Sequence, residues 1–295
     1  MTPCSVCGSH DRRPVLRMGS GARPDWLLRC LECRLVQPES LPTATELREY
    51  YRRYSYDHPE SWSVDPATEA SLKLLARTRL GRYRLSGRLL DVGCGAGAVL
   101  RTMSAEGWHA EGHEISEAVA DRLQKEGFRV HIGPLEDLDV GPVLFDVLVM
   151  SEVIEHLPAP HVTLKAAHRL LRPGGALYLT TPNFGSLSRR VLRDQWRAIQ
   201  LPEHLSYFDP RSLRALLLRA DFRIPRVWSE GLNPYELAGV RRRPPAFDGD
   251  RLRSQTERLR VAAASPGAVR ALKRLVNVTL TLSGLGDTLK ALSER

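Results

Sequence analysis

The hydrophobic residues in the middle of the chain form short apolar runs that alternate with amphipathic stretches. Short apolar runs are typical of buried strands, whereas apolar residues repeated every three or four positions are typical of helices. The pattern predicts strands at residues 89–92, 108–113, 128–132, 145–150, 176–181 and 223–229, and helices at residues 98–106, 117–125, 161–171 and 212–220. This alternation predicts an α/β fold in which helices cover both faces of a doubly wound parallel sheet.

Three further stretches have their own patterns. Residues 46–59 carry four tyrosines at near-helical spacing, which predicts a connecting helix that packs aromatic side chains on the next domain. The RPGG sequence at residues 172–175 predicts a glycine cap at the end of the preceding helix. Residues 233–284 have helical periodicity broken by prolines, which predicts a helical insertion that covers a substrate or forms a homodimer contact.

The composition is that of an ordinary soluble globular protein with one large domain, or one large and one small. No apolar run approaches the roughly 20 residues that span a bilayer. The N-terminus has no apolar stretch typical of a secretory signal. We therefore expect a cytoplasmic protein without a membrane partner. The net charge is +9, but the arginines are spread along the chain, so charge alone does not favour nucleic-acid binding.

Four of the five cysteines form two C-x2-C pairs that are separated by 22 residues. Each pair lets two thiolates from one tight turn bind the same tetrahedral ion, and the double spacing is typical of a zinc ribbon. Short strands are predicted between the pairs at residues 14–18 and 26–29. The predicted ligands of a structural zinc ion are Cys4, Cys7, Cys30 and Cys33; four unrelated buried thiols are the alternative.

A glycine-rich loop follows the first predicted strand in RLLDVGCGAGAVLRTM, which begins at residue 88. Such a loop between a strand and a helix brings backbone amides close to a ligand. The loop also satisfies the looser pattern of dinucleotide sites. However, Asp91 would suit an ammonium group and would be badly placed against a pyrophosphate. Glu114 ends the next strand, 23 residues after Asp91, where an acid can bind two ribose hydroxyls.

Taken together, DVGCGAG, FDVLVMSEVIEHL and LRPGGALYLTTPN resemble the class I S-adenosylmethionine-dependent methyltransferases over about residues 72–229. The N-terminal segment is similar to the zinc ribbon of a bacterial subgroup, except that Arg34 replaces its usual glycine, which we expect to loosen a turn. The final GDTLKALSER resembles the family's last, antiparallel strand. The resemblance implies a seven-stranded, mostly parallel sheet. The implied division is a ribbon (1–40), a linker helix (41–70) and a methyltransferase domain (71–295) with a substrate cap (183–210) and the helical insertion (233–284).

The resemblance also implies which residues hold S-adenosylmethionine. The methionine end would lie at Asp91, Gly93, Gly95 and Gly97, the ribose at Glu114, the adenine at Ile115, Leu135 and Glu136, and the floor of the site at Ser151 and Glu152. We interpret Cys94, in the loop itself, as a packing residue.

The candidate catalytic residues are Glu155, His156 and His204. In SEVIEHLPAP a helix would bring Glu152, Glu155 and His156 onto one side. This E-x-x-E-H arrangement is similar to that of the ubiquinone-pathway O-methyltransferases and the small-RNA 3′-end methyltransferases, where it binds a divalent metal, here Mg or Mn. Three roles stay open: a metal site, a metal-free base at His156 or His204, and a structural brace.

Residues 183–210 follow the fifth predicted strand and would close over the acceptor, since ligands bind at the carboxyl ends of such strands. The candidate substrate contacts are Trp196, Arg197 and Tyr207. Arginines at positions 189, 190, 193 and 197 would face an anionic group, such as a nucleotide-sugar diphosphate, or would form a solvated helix face.

The resemblance implies an S-adenosylmethionine-dependent methyltransferase, and we expect O-methylation of a small-molecule or glycan acceptor. The alternatives are an RNA methyltransferase that uses the ribbon and the basic charge, a sugar C-methyltransferase, and a non-catalytic cofactor-binding scaffold. Strong salt-dependent RNA binding would favour the first alternative.

Overall fold

The computed structural model describes residues 3–18, 25–52, 66–232 and 279–295. Two sheets organise them, one of three strands and one of seven. Parts of two predicted segments, residues 53–65 of the linker and residues 233–278 of the helical insertion, lie outside the described residues.

The N-terminal sheet is an antiparallel ribbon of three strands in the order β1-β2-β3. The strands are β1 (Arg12–Met18), β2 (Asp25–Cys30) and β3 (Val36–Pro38). Helix α1 (Ala44–Arg52) follows the ribbon. The first two strands lie where the sequence predicted them, with slightly wider bounds.

The second sheet has the order β6-β5-β4-β7-β8-β10-β9. Its strands are β4 (Arg88–Val92), β5 (His109–Glu114), β6 (Val130–Ile132), β7 (Phe145–Ser151), β8 (Leu171–Pro182), β9 (Arg223–Glu230) and β10 (Thr288–Glu294). Neighbours from β6 to β8 pair in parallel, and β10 pairs antiparallel with both β8 and β9. The predicted fold class and the antiparallel last strand are confirmed.

Helices connect the strands of the large sheet. They are α2 (Pro66–Leu75), α3 (Ala98–Ala105), α4 (Glu117–Lys125), α5 (Pro160–Leu170), α6 (Leu187–Leu192) and α7 (Pro210–Arg219). The start of α7 is fixed by a capping box, because the Asp209 carboxylate accepts the amide hydrogens of Arg211 and Ser212. No helix among the described residues combines the length and the apolarity that a bilayer crossing requires.

The prediction that RPGG caps a helix is wrong. Helix α5 ends at Leu170, and β8 begins at the next residue. The register between β7 and β8 shifts there, so that one residue of β7, Asp146, faces four of β8, residues 172–175, with Gly174 at φ 73° in the bulge. Gly175 serves close packing, since a Cβ at this position would lie 2.9 Å from the carbonyl oxygen of Asp146.

From β4 the chain adds β5 and β6 towards one edge of the sheet, and it then returns to place β7 on the other side of β4. The order of the strands therefore reverses between β4 and β7. In doubly wound sheets ligands bind at such a point, outside the carboxyl ends of the strands. The predicted site residues follow these ends: Asp91 and the glycine loop at β4, Glu114 at β5, and Ser151 and Glu152 at β7. The fold therefore brings together residues that are up to 61 positions apart in sequence.

Candidate active site

Two carboxyl groups lie at the ends of the neighbouring strands β4 and β5. Asp91 is 2% exposed, and burial together with the negative charge of Glu114 raises the pKa of its carboxyl well above the usual range. None of the ion pairs among the described residues supplies a cation to either group. Two close, unpaired carboxyl groups favour a cationic ligand and disfavour a pyrophosphate.

The loop between β4 and α3 is tightly enclosed. Gly93 and Gly97 have φ values of 67° and 77°, in the left-handed region, and a Cβ on either residue would lie 2.6 Å from a neighbouring side chain. The Gly95 amide donates to Oε2 of Glu114 at 3.0 Å. The loop therefore keeps its backbone at the edge of the sheet, next to the two carboxyl groups.

Cys94 points away from solvent and packs in an apolar cluster with residues of α3, α4 and β6. Burial raises the pKa of its thiol, so the sulfur stays protonated. A Cβ on Gly112 would lie 2.9 Å from this sulfur. The structure thus explains a glycine on β5 that the sequence analysis did not consider.

The predicted adenine residues occupy different environments. Ile115 is 57% exposed, directly after Glu114, whose Oε1 accepts the amides of Ile115 and Ser116 at 2.8 and 3.1 Å. Leu135 is 2% exposed and belongs to the main core, and the Glu136 carboxylate accepts a hydrogen bond from Thr163. Their contact with adenine stays a prediction.

The end of β7 forms the floor next to the glycine loop. Thr180 of β8 donates to Oε1 of Glu152 at 2.7 Å, and its hydroxyl lies 3.2 Å from that of Ser151. Glu152 has φ 54°, a left-handed conformation that costs free energy in a residue other than glycine. Glu152 is an exposed residue, but many protein atoms surround its carboxyl group. The resulting desolvation raises the pKa of that carboxyl.

The stretch VIEHL forms a single 3-10 turn, Ile154–His156, and not the predicted start of a helix, because α5 begins only at Pro160. Glu155 lies in this turn and is 2% exposed. Its Oε2 accepts the Thr181 hydroxyl at 2.9 Å, but its Oε1 is buried without a hydrogen-bond partner. Burial, then the negative charge of Glu152, raises the pKa of Glu155 well above the usual range.

Two histidine rings meet beside this carboxyl, with centroids 4.7 Å apart. Nδ1 of His156 lies 3.1 Å from the Glu203 carbonyl oxygen, and Nδ1 of His204 lies 2.7 Å from that of Ala198. Since a carbonyl only accepts, Nδ1 of His204 carries the hydrogen and its Nε2 carries the lone pair. The His156 ring faces two backbone carbonyls, those of Glu203 and Glu152. Burial lowers the pKa of both rings, that of His156 to about 3 with a contribution from His204, so both are neutral at neutral pH.

The carboxylate and the two imidazoles form one potential ligand set, because one ligand atom from each of Glu155, His156 and His204 lies within 4.8 Å of the others. Oε1 of Glu155 is 4.0 Å from Nε2 of His156. The structure therefore joins three residues that the sequence analysis had grouped. Glu152 is not part of this ligand set, and its carboxylate accepts a hydrogen bond from Thr180.

The segment that carries His204 is clamped from two sides. The Glu155 carbonyl accepts the amides of Leu205 and Ser206 at 2.7 and 2.9 Å. Tyr207 then exchanges two backbone hydrogen bonds with Val36 of the ribbon, at 3.2 and 2.8 Å. The ribbon thus extends, through its strand β3, to the chain segment that positions His204.

Gln37, which the sequence analysis missed, ties these parts together and is 1% exposed. Its Nε2 donates to the Ser5 hydroxyl at 2.7 Å and to that of Ser206 at 3.2 Å, and its Oε1 accepts the Ser5 amide. Ser5 lies between the first two cysteines. No motif marks Gln37, because its role depends on a contact across 169 positions of sequence.

The four N-terminal cysteines converge as predicted, with all four sulfurs within 4.8 Å of one another. The closest pairs are Cys4 with Cys33 and Cys7 with Cys30, both at 3.4 Å. Zinc–sulfur bonds of about 2.3 Å in a tetrahedron separate sulfurs by roughly 3.8 Å, so a zinc ion fits this arrangement. A hydrogen bond from the Cys33 thiol lowers the pKa of Cys4, whereas burial raises the pKa of Cys7, and the hydrogen bond to Cys4 together with burial raises that of Cys33.

The three predicted substrate residues are not equivalent. Trp196 and Tyr207 are 4% and 3% exposed and pack around Phe184, in a cluster that also contains apolar residues of the ribbon. Arg197 is exposed. Trp196 and Tyr207 thus join residues 183–210, the predicted cap, to the ribbon, and a contact of any of the three with substrate stays a prediction.

Comparison of the sequence with known proteins identifies the family to which the chain belongs. A family model described as "Methyltransferase domain" matches residues 65–227, which is more than half of the chain. A Pseudomonas syringae protein named ubiquinone biosynthesis O-methyltransferase is 36% identical over 110 residues, which cover 35% of this chain and 47% of that protein. One of the same name from Aromatoleum aromaticum is 28% identical over 160 residues, which cover 50% and 68%. The first match thus spans about half of the relative's length.

Solved structures share the fold at low sequence identity. A Burkholderia thailandensis 1,6-didemethyltoxoflavin-N1-methyltransferase with bound S-adenosylhomocysteine superposes with a TM-score of 0.54 at 17% identity, over 95% of this chain and 99% of that one. A SAM-dependent methyltransferase from Archaeoglobus fulgidus gives 0.50 at 18% identity, over 86% and 100%.

Proposed function

The chain belongs to the methyltransferase-domain family, as a class I S-adenosylmethionine-dependent methyltransferase, and on this premise we propose that it methylates a hydroxyl oxygen of a small molecule beside a divalent metal. The observation that carries the proposal is the convergence of the Glu155 carboxylate, whose Oε1 is buried without a hydrogen-bond partner, with one ring nitrogen each of His156 and His204. The names of the relatives as O-methyltransferases support oxygen as the acceptor atom.

The carboxyl groups of Asp91 and Glu114 fit the methyl donor, which carries positive charge at its ammonium and sulfonium groups. Asp91 would accept from the ammonium group, and Glu114 would accept from the ribose hydroxyls. When bound, the cofactor supplies an electrophilic methyl group on sulfur. The neutral floor made by Ser151 and Thr180 would orient that methyl group towards the acceptor side without a competing nucleophile.

Glu155, His156 and His204 would hold the metal ion. Both imidazoles are neutral, and Nδ1 of each lies within hydrogen-bonding distance of a backbone carbonyl, which is how metal-binding histidines are usually oriented. A mixed nitrogen and oxygen donor set suits Mn better than Mg, which prefers oxygen ligands. When bound, such an ion supplies Lewis acidity that lowers the pKa of an acceptor hydroxyl.

A metal-free base at His156 is a weaker explanation. With a pKa of about 3, this imidazole binds a proton too weakly at neutral pH to act as an efficient general base. Glu152 is better suited, because it has solvent access and its pKa is raised by desolvation. We assign to Glu152 the acceptance of the hydroxyl proton, with Thr180 holding its carboxylate in place.

Binding of Mn, followed by electron paramagnetic resonance, tests the metal site without a known acceptor. Wild-type protein should bind one Mn per chain in addition to its zinc, whereas His204→Ala and Glu155→Gln should lose that ion and keep their affinity for S-adenosylhomocysteine. His109→Ala, at the exposed opposite end of β5, is the matched control and should behave as wild type. Wild-type protein that binds no Mn would contradict the metal site.

Transfer of a labelled methyl group separates the acceptor classes. Incubation with phenols, sugars, nucleotide sugars and transfer RNA should label a hydroxyl of a small molecule, in a reaction that His204→Ala abolishes. Labelled RNA, or a methyl group bound to carbon, would replace the proposal by one of the alternatives.

A further inference from the structure

Three arginines meet where the ribbon contacts the cap, and the Nε atom of each is buried without a hydrogen-bond partner: Arg29, Arg34 and Arg189. The guanidinium carbons of Arg189 and Arg29 lie 3.9 and 6.0 Å from the ring centroid of Phe184. Burial lowers the pKa of Arg189 to about 10, with a contribution from the positive charge of Arg29. Like charges brought together in partial burial cost free energy unless an anion compensates them.

The protein itself supplies one carboxylate at this junction. Oδ2 of Asp209 lies 3.4 Å from Nη2 of Arg34, and its Oδ1 is occupied by the first amides of α7. No ion pair of the described residues involves Arg29 or Arg189. The three guanidinium groups and one carboxylate thus leave an excess of two positive charges, which a phosphoryl group complements better than a single carboxylate.

The backbone at Arg34 supports a role for its side chain. Arg34 has φ 66°, a left-handed conformation in which a residue with a Cβ pays about 1 kcal/mol relative to glycine. Glycine would relieve this cost while leaving the cysteine ligands in place. The unfavourable conformation therefore points to a function of the guanidinium group.

The arginines lie close to the proposed reaction centre. Arg29 pairs with Val36 across the ribbon, and Val36 pairs with Tyr207 of the cap, so these residues form one row across the junction. His204 precedes Tyr207 by three residues, which span at most about 10 Å of extended chain. Arg29 is therefore separated from His204 by two backbone pairings and three residues of chain.

We propose that Arg29, Arg34 and Arg189 form an anion subsite that binds the phosphate or diphosphate of the methyl acceptor. Planar guanidinium groups bind phosphoryl oxygens in pairs through their N–H groups. The subsite deepens the proposed function, because it rests on a small-molecule acceptor and specifies a phosphorylated one, such as a nucleoside diphosphate sugar.

Titration calorimetry with inorganic pyrophosphate, inorganic phosphate and uridine diphosphate tests the subsite at constant ionic strength, without methyl donor. Uridine diphosphate and pyrophosphate should bind saturably, and Arg29→Gln and Arg189→Gln should each weaken both by tenfold or more. Arg190→Gln, an exposed neighbour on α6, should leave the affinity unchanged. Equal losses in all three variants would overturn the proposal, because they would indicate non-specific attraction.

Arg34→Gly removes the guanidinium group without destabilising the backbone, because glycine readily adopts the positive φ of this position. A loss of binding in this variant could therefore not be attributed to misfolding. This variant should unfold at a higher temperature than wild type and yet bind pyrophosphate several-fold more weakly; undiminished binding would remove Arg34 from the subsite. Binding of phosphate without any binding of uridine diphosphate would assign the site to the free ion and overturn the acceptor role. A single-stranded RNA that competes more strongly than uridine diphosphate would overturn it in favour of nucleic acid.

The measurement does not depend on turnover, so the two proposals can fail separately. His204→Ala should still bind pyrophosphate if the subsite is correct, even where methyl transfer is lost. A wild-type protein that methylates an uncharged acceptor and binds no diphosphate would overturn the subsite alone.

Discussion

The substitution Asp91→Asn should stabilise the ligand-free protein and weaken its binding of the methyl donor. Asp91 is 2% exposed, and burial, then the negative charge of Glu114, raises the pKa of its carboxyl well above 3.8. Between that unfolded value and the raised folded value, the unfolded chain has lost the proton and the folded protein retains it. The free energy of unfolding therefore falls by about 1.4 kcal/mol per pH unit over this window.

The amide of the variant does not titrate, so this loss should be absent. Urea unfolding at constant ionic strength should give equal stabilities for the two proteins near pH 4 and an advantage of the variant that grows as the pH rises, until the raised pKa of Asp91 is passed. In contrast, the loss of one charged hydrogen bond to the donor's ammonium group costs about 1.5–3 kcal/mol, which corresponds to roughly 10- to 150-fold weaker binding. Calorimetry with S-adenosylhomocysteine, which retains that ammonium group, measures this effect.

The substitution should raise the stability and lower the affinity for S-adenosylhomocysteine, whereas general damage to the fold would lower both. Asp121→Asn, on the exposed face of α4, should change neither. The reasoning is refuted if Asp91→Asn binds S-adenosylhomocysteine as tightly as wild type, or if its stability follows pH in parallel with that of wild type.

Three further substitutions test other parts of the structure. Gln37→Leu leaves the hydroxyls of Ser5 and Ser206 without their hydrogen bonds to Gln37, so it should lower the free energy of unfolding in urea by about 2 kcal/mol. The variant should also bind Mn more weakly and S-adenosylhomocysteine as tightly as wild type. Unchanged Mn affinity would show that the ribbon does not position His204. Asp146→Asn should cost about 3 kcal/mol at pH 7, because this fully buried carboxylate binds Arg172 and three backbone amides. Burial alone would raise the pKa of Asp146, but its hydrogen-bond partners lower that pKa. The stability advantage of wild type over Asp146→Asn should therefore disappear as the pH falls through the lowered pKa. A stability difference that stays constant down to acid pH would contradict this. Gly112→Ala should destabilise by about 1–3 kcal/mol in thermal unfolding, and Cys94→Ala should restore part of the loss if the clash with sulfur is its cause.

The central part of the fold follows from the sequence because its strands β4, β7 and most of β8 are buried on both sides. In β7, for example, six consecutive residues from Phe145 are buried, and such a run has no other stable environment in a soluble protein. The RPGG segment was mispredicted because a glycine that caps a helix and a glycine that allows close packing in a bulge have the same sequence signal. Only the contact between Gly175 and the Asp146 carbonyl distinguishes them.

The candidate site was predictable to the extent that its residues follow strand ends. Asp91, Glu114 and Glu152 do so, whereas Thr181 and Gln37 act through contacts with other elements. The TTPN sequence at the end of β8 was a usable signal for the threonines, since hydroxyls after a buried strand lie at the same edge as the glycine loop. No local signal existed for Gln37 or for the meeting of Arg29 with Arg189, because both depend on how the ribbon docks on the cap.

A crystal structure with S-adenosylhomocysteine and Mn tests the central claim most directly. The account predicts the cofactor across the ends of β4, β5 and β7, with its ammonium group at Asp91, its ribose at Glu114 and its sulfur towards Ser151. It also predicts an anomalous peak of Mn bound by Glu155, His156 and His204. A cofactor bound elsewhere, or a complex without a metal peak between these three side chains, would contradict the account.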